Sequence, residues 1–290
     1  MSGSGSPGPS RHRWRGKAAL CRTCGSYLRF GVLEDGSSKL LEANFCKLRL
    51  CPACSFRRSL RTFANISQVM DLLEPLGYKY LFLTLTVRNV APADLSDALS
   101  MMAKGFNRFL SNKAVKRRVL GMIRSTEVTF NDNDNSVHPH YHLILAVEKS
   151  YRREAEQYFT TEDWAKVWGK SCRLDYLPVT DIRTIRDMQG GLRETAKYAV
   201  KDKELLRGSP VMIADKVYFL QVGLRGKRLL SYSGVFADAR KQLQLLDEDT
   251  DLTDQLLRDD VLQAMVTYHW NFGLSAYDLV EVENYEGKEG

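Results

Sequence analysis

Three of the five histidines of the chain lie in one stretch, His138-Pro-His-Tyr-His142. Side chains two residues apart in a β-strand point to the same face, so we expect His140 and His142 to project together. Two neutral imidazoles on one face can bind a divalent ion. Glu127 lies across a predicted turn and is the favoured third ligand, with His138 in reserve. This ligand set suits Mn or Mg in phosphoryl transfer, or zinc in hydrolysis.

A second chemical pattern lies on a predicted helix at residues 194–201. Glu194 and Tyr198 are four residues apart and Lys201 is three further on, so the three side chains share one helical face. A phenol is a weak nucleophile at neutral pH because its ordinary pKa is about 10, and a nearby ammonium group or metal favours the phenolate. A carboxylate one turn away can act as a base for water. The same spacing is common on solvated helix faces, so its weight comes from its position downstream of the histidines.

The cysteines indicate a second metal site near the N-terminus. Two Cys-x-x-Cys pairs, at 21–24 and 51–54, can bring four thiolates to one tetrahedral ion. We therefore predict zinc bound by Cys21, Cys24, Cys51 and Cys54. Cys46 is in reserve, because it makes a fifth candidate for four positions. The alternative is a set of buried reduced cysteines.

The hydrophobic pattern predicts the elements that position these residues. Strands are expected at 27–32, 39–44, 78–87, 122–131, 138–147 and 176–185, and helices at 56–76, 92–115, 153–168 and 192–206. Residues 209–246 are predicted to be largely helical with breaks near 223–226 and 231–234, and residues 266–270 and 277–282 to form a closing hairpin. Strands separated by helices, with a hairpin around residues 131–135, predict an α+β fold.

The charge of the chain is unevenly distributed. The 290 residues have a net charge of +7, but residues 241–290 contain 12 acidic and 3 basic side chains. A basic body with an acidic end favours a polyanionic partner, although ordinary surface charge gives the same total. No apolar run reaches the length of about 18 residues that a membrane span needs. The polar start lacks the features of a secretory signal, and we expect a cytoplasmic protein.

Four motifs occur in a fixed order along the chain. They are Cys46-Lys-Leu-Arg-Leu-Cys51-Pro-Ala-Cys54 with its following arginines, Phe82-Leu-Thr-Leu-Thr86, His138-Pro-His-Tyr-His-Leu-Ile-Leu145, and Glu194-Thr-Ala-Lys-Tyr-Ala-Val-Lys201. Over about residues 40–240 this order resembles the plasmid rolling-circle replication initiators, which are Rep proteins of the HUH (His-hydrophobe-His) endonuclease superfamily. Relaxases of that superfamily place the tyrosine before the histidines, whereas here it follows them.

The resemblance implies a fold and a reaction. The fold is a central antiparallel sheet flanked by helices, with an N-terminal zinc-binding module. His140, His142 and Glu127 would hold Mn or Mg on the scissile phosphate, and Tyr198 would attack it in bacterial plasmid origin DNA presented as a single strand or hairpin. The products would be a 5′-phosphotyrosine link and a 3′-OH primer. Lys201 would stabilise the phosphate or phenolate, and Glu194 would activate water for terminal cleavage.

These motifs divide the sequence into four parts. We expect a flexible leader at 1–16, the zinc-binding module at 17–56, the HUH endonuclease domain at 57–246 and an acidic C-terminal segment at 247–290. Six basic residues are candidates for DNA contact: Arg57, Arg58, Arg61, Arg225, Lys227 and Arg228. A purely structural zinc clip is the alternative for the first three. A host helicase and a second copy of the chain are further expected partners.

Two other functions remain open. An HUH-type transposase would use similar chemistry on transposon ends. A non-catalytic zinc-ribbon protein would bind nucleic acid without forming a covalent adduct.

Overall fold

The computed structural model describes residues 11–151, 158–185, 205–247, 252–256 and 260–285. The chain forms two compact units, one made of the residues up to Arg58 and from Leu246 onward, the other of Ser59–Leu245. Each unit contains one antiparallel sheet. The expected α+β class with helices flanking antiparallel strands is therefore confirmed. No helix among the described residues combines the length and apolar character needed to cross a membrane.

The helices and strands have the following bounds. The helices are α1 (Arg11–Arg22), α2 (Pro52–Leu73), α3 (Leu95–Ser111), α4 (Lys113–Lys116), α5 (Thr161–Cys172), α6 (Pro210–Gly223) and α7 (Val235–Gln242). The strands are β1 (Tyr27–Leu33), β2 (Ser38–Ala43), β3 (Lys79–Thr86), β4 (Val119–Asn131), β5 (Ser136–Val147), β6 (Thr180–Thr184), β7 (Leu230–Gly234), β8 (Leu262–Asn271) and β9 (Ala276–Asn284). Short 3₁₀ turns at Glu74–Leu76 and Pro92–Asp94 follow α2 and precede α3.

The sheet of the larger unit has the strand order β6-β3-β5-β4-β7. Its central strand β5 is buried along almost its whole length, because helices cover both faces. On one face, Ile66 and Val69 of α2 pack against Phe82 and Ile144. On the other face, Trp164 and Trp168 of α5 are fully buried beside the aromatic side chains of α3. This double burial holds the middle of the sheet rigid where the histidines are carried.

The smaller unit joins the two ends of the chain. Its sheet has the order β2-β1-β8-β9, so the C-terminal hairpin β8–β9 adds directly to the N-terminal strands. The sequence predicted the hairpin but not its pairing with the N-terminal strand β1. The sequence prediction separates an N-terminal module from a C-terminal segment, but residues up to Arg58 and residues from Leu246 onward belong to one compact unit.

Several elements differ from the sequence prediction. Residues 231–234, expected as a break between helices, lie in the edge strand β7 that pairs with β4. Helix α1 begins at Arg11, inside the expected flexible leader. The predicted helix 92–115 is interrupted at Asn112, whose side chain accepts hydrogen bonds from the backbone N–H groups of Ala114 and Val115 and so caps α4. Helix α5 begins later than predicted, at a capping box formed by Thr160 and Asp163.

Candidate active site and metal centres

The paired strands β4 and β5 bring Glu127, His140 and His142 together. Glu127 lies directly opposite His140, and Ser125 opposite His142, so the three functional side chains share one face of the sheet. One ligand atom from each of the three lies within 4.8 Å of the others. The Glu127 Oε2 atom is 2.8 Å from His142 Nε2 and 3.4 Å from His140 Nε2. The predicted turn at residues 131–135 thus places the carboxylate where the sequence expected it.

The second nitrogen of each imidazole has its own partner. His140 Nδ1 lies 3.1 Å from the carbonyl oxygen of His138, and His142 Nδ1 lies 3.2 Å from Thr84 Oγ1 on β3. A carbonyl only accepts, so His140 Nδ1 donates to it, and a bound metal ion would replace any proton on Nε2. A metal-ligating imidazole is commonly held by such an outer partner through its second nitrogen. Both Nε2 atoms are directed towards Glu127.

The carboxylate of Glu127 is ionised within a buried site. Burial alone would raise the pKa of Glu127, but its hydrogen bonds to His140 and His142 hold that pKa well below the usual range. The three residues are between 4% and 8% exposed. A buried carboxylate facing two imidazoles is a donor set that fits a divalent cation, and it leaves positions free for phosphate or water.

His138 lies beside this group but outside it. Its Nδ1 is 2.6 Å from Asn89 Oδ1, and the Asn89 amide donates to Ser136 Oγ at 2.7 Å. Burial and the neighbouring His140 lower the pKa of His138. The geometry therefore favours Glu127 over the reserve ligand His138. The sequence analysis did not single out Thr84 or Asn89. Thr84 lies in the Phe82–Thr86 motif, and the pairing of β3 with β5 places it opposite His142.

A cysteine cluster lies in the smaller unit. The sulfur atoms of Cys24, Cys46, Cys51 and Cys54 all lie within 4.8 Å of one another, and none of the cysteines is in a disulfide. Cys24 Sγ is 3.4 Å from Cys54 Sγ, and the backbone N–H of Cys46 donates to Cys24 Sγ at 3.3 Å. Burial raises the pKa of Cys54 to about 12, and a zinc ion would displace that proton. The donors fit a tetrahedral zinc site.

The cluster differs from the predicted ligand set at one position. Cys46, held in reserve, takes the place expected for Cys21, which packs against the four from the last turn of α1. The loop between β2 and α2 turns back beside Cys24 and carries Cys46 there. Cys-x-x-Cys spacing alone could not show this, because the approach of Cys46 depends on the fold of that loop.

The arginines after the cluster have partners inside their own unit. Arg58 is 4% exposed and donates to the carbonyl oxygens of Lys47 and Leu48. Arg57 donates to the carbonyl of Leu252 and the carboxylate of Asp254. Arg58 is buried, Arg57 is partly buried and paired, and both guanidinium groups stabilise the loops around the cysteines. Contact of these two residues with DNA stays a prediction. Arg61 is partly buried.

Two groups of predicted residues remain to be placed. Arg225 and Arg228 are exposed after α6, and Lys227 between them is partly buried. Three predicted catalytic residues lie outside the described residues: Glu194, Tyr198 and Lys201.

Comparisons with known proteins show the family of the chain. Residues 37–278 match the family described as Replication protein, Rep_1. The chain is 40% identical over 231 residues to a "Protein rep" of Streptococcus pneumoniae, covering 77% of this chain and 71% of that protein. A "Protein rep" of Lentilactobacillus hilgardii is 33% identical, with 90% and 87% covered. A "Replication protein" of Staphylococcus aureus is 35% identical, with 70% and 91% covered.

No solved structure matches the chain. The family match spans both the histidine strand and most of the cysteine cluster. The resemblance to Rep proteins found in the motifs is confirmed, and the chain belongs to the Rep_1 family of replication proteins.

Proposed function

We propose that the chain initiates rolling-circle replication of a plasmid in the cytoplasm of its bacterial host by nicking one strand of origin DNA. The buried Glu127–His140–His142 group, in a chain of the replication protein family, is the observation that carries the proposal. The group offers two imidazoles and one carboxylate to an ion that would bind a phosphate. DNA is the required partner, and a host helicase and a second copy of the chain are further proposed partners.

Glu127, His140 and His142 would hold the ion that binds the scissile phosphate. A Mn or Mg ion held by His140 Nε2, His142 Nε2 and the Glu127 carboxylate would neutralise negative charge on the phosphate oxygens. Thr84 and the His138 carbonyl keep the two rings in orientation. The burial of the three residues would strengthen their attraction for that ion.

Tyr198 is the proposed nucleophile. Its phenolate oxygen attacks the phosphorus, a new P–O bond to the tyrosine forms, and the bond to the 3′ oxygen breaks. The leaving 3′ oxygen takes a proton and becomes the 3′-OH primer. Lys201, three residues on, stabilises the phenolate, and Glu194 accepts a proton from water in the terminal hydrolysis. These assignments rest on the helical spacing at residues 194–201 and on the family resemblance.

One denaturing gel tests the proposal. The full chain is incubated with Mn and labelled single-stranded origin DNA, and the covalent adduct is followed. We expect Tyr198→Phe to abolish both the adduct and the nick while origin binding remains. Tyr285→Phe, at an exposed tyrosine, is the matched control and should retain both.

An adduct that persists in Tyr198→Phe would exclude Tyr198 as the nucleophile. Wild-type protein that binds the origin but forms no adduct would support the non-catalytic binding function. Cleavage and rejoining of transposon ends in preference to plasmid origins would support a transposase.

A further inference from the structure

The larger unit contains a cavity of about 320 Å³ that the proposed nicking reaction does not use. It lies between α3, β4, β7 and the loop after α6. Arg124 and Thr126 line it, and they alternate along β4 with Ser125 and Glu127. The cavity is therefore on the face of the sheet opposite to the metal ligands. Its volume falls at the lower end of the range of about 300–1,000 Å³ for ligand pockets.

Arg124 gives this cavity a buried positive charge. The residue is 7% exposed, and its guanidinium lies over the rings of Phe106 and Tyr141, at 4.9 and 4.6 Å from their centroids. Its Nη2 donates to the carbonyl oxygen of Arg228 at 2.9 Å, whereas its buried Nε has no hydrogen-bond partner. No carboxylate of the described residues pairs with this guanidinium. Burying a charge without a counter-ion is costly, so a site of this kind favours an anion.

The surroundings of Arg124 add further positive charge. Lys227 and Arg228 also line the cavity, and no aspartate or glutamate of the described residues does. The Lys227 ammonium donates to Ser100 Oγ on α3, which keeps it at this wall. Burial lowers the pKa of Arg124, and the Arg228 guanidinium lowers it further. A bound anion would relieve the repulsion between these groups.

The remaining walls suit a ring as well as an anion. Leu99, Ala103 and Leu110 form an apolar side, and Asn107 and Ser231 add polar groups. A guanidinium group presents its donors in a planar fork that matches two phosphate oxygens. The combination of cationic, apolar and amide groups in one pocket matches the parts of a nucleotide.

We propose that the Arg124 cavity binds a single nucleotide, its phosphate held by Arg124 and Arg228 and its base lying against the apolar wall of α3. The nucleotide can be part of a single DNA strand or can be free, since the recognised chemistry is the same. The inference goes beyond nicking and does not depend on Tyr198.

Calorimetric titration of the full chain with deoxynucleoside monophosphates tests the site. No divalent ion is added, so that phosphate binding at Glu127 and the histidines does not contribute. We expect the monophosphates to bind and the matching nucleosides to bind at least about tenfold more weakly, because they lack the charged group. Arg124→Gln and Arg228→Gln should each weaken binding of the monophosphate by about tenfold.

Lys104→Gln is the matched control, since it removes one positive charge from the exposed side of α3 outside the cavity. It should leave the affinity unchanged. If Arg124→Gln does not fold, the affinity of Arg228→Gln still tests the site, because Arg228 is exposed. Displacement of the nucleotide by a single-stranded oligonucleotide would assign the site to the DNA strand, and failure to displace it would assign the site to free nucleotide.

The proposal is overturned if no monophosphate binds at millimolar concentration. It is equally overturned if the nucleosides bind as well as the monophosphates, or if Arg228→Gln binds like wild type. Nicking by a protein that binds no nucleotide in this cavity would leave the proposed function intact. Nucleotide binding by Tyr198→Phe would show that the cavity binds its ligand independently of the nicking reaction.

Discussion

At the scale of single residues, Glu127 determines the chemistry of the histidine strand. Two imidazoles alone are neutral, whereas the buried carboxylate adds one negative charge at 2.8 Å from His142. That charge attracts a cation. The imidazoles favour a transition metal such as Mn over an ion that prefers oxygen ligands alone. The pairing partner of Glu127 is His140, so one strand register sets the whole ligand group.

Replacing Glu127 with glutamine should lower the affinity for Mn by more than about tenfold, because the amide keeps the shape but loses the charge. Titration calorimetry with Mn measures this change. Glu148→Gln, an exposed carboxylate just beyond β5, is the control. Equal Mn affinity in Glu127→Gln and wild type would show that the carboxylate is not a ligand.

The cysteines offer a second test at this scale. We expect Cys46→Ser to lose bound zinc on dialysis and Cys21→Ser to retain it, because only Cys46 belongs to the group of four sulfur atoms that lie within 4.8 Å of one another. The zinc content per chain, measured by elemental analysis, decides between them. Zinc lost from Cys21→Ser but kept by Cys46→Ser would restore the ligand set expected from the two Cys-x-x-Cys pairs.

At the scale of elements, the β4–β5 hairpin carries the proposed metal ligands and α6 supports its turn. Lys216 of α6 is 6% exposed and donates to Asp132 Oδ1 at 2.7 Å and to the carbonyl of Arg207 at 3.0 Å. The hydrogen bonds to Lys216 lower the pKa of Asp132. This contact joins the hairpin turn to the start of α6 and keeps the hairpin in place.

The two partners of that ion pair should respond differently to mutation. Asp132→Ala leaves a buried ammonium group without its carboxylate, whereas Lys216→Met leaves only a partly exposed carboxylate that water can solvate. We therefore expect Asp132→Ala to lower the free energy of unfolding more than Lys216→Met does. Urea unfolding measures both, with Asp71→Ala on the exposed side of α2 as control. The reverse order would show that packing of the lysine stem outweighs its charge.

At the scale of the whole molecule, the two ends of the chain depend on each other. Strand β8 pairs with β1 over seven residue pairs, and Leu252 packs against the cysteine cluster. Asp254 accepts hydrogen bonds from the backbone N–H of Leu40 and from Arg57. These contacts join the C-terminal segment to the N-terminal strands and to the cysteine cluster.

Deleting residues 261–290 should weaken zinc retention and expose β1, because β8 provides the ladder hydrogen bonds of that strand. Zinc release can be followed with a colorimetric chelator while the chain is titrated with urea. Deletion of 286–290 alone, beyond β9, is the control. Unchanged zinc retention in the longer deletion would show that the cysteine cluster folds without the C-terminal hairpin.

Local periodicity explains why so much of the larger unit was predictable. The strands at 78–87, 122–131 and 138–147 and the α2 helix were found because apolar side chains repeat with the period of their own element. The short edge strand β7 was missed because its five residues give too brief an alternation, and its pairing with β4 provides the strand conformation. Arg124 was missed because one arginine in a strand carries no signal of its burial.

By itself, the sequence determined which residues can do chemistry and which family they belong to. Histidines two apart on a strand, with a carboxylate across a turn, already indicate a candidate metal site, since alternation along a strand is local. Only the tertiary structure decided that Cys46 joins the cysteine cluster, that the C-terminal hairpin completes the N-terminal sheet, and that Arg124 lines a cavity. The physical reason is that these arrangements arise from contacts between distant parts of the chain, which depend on how strands pair and loops close.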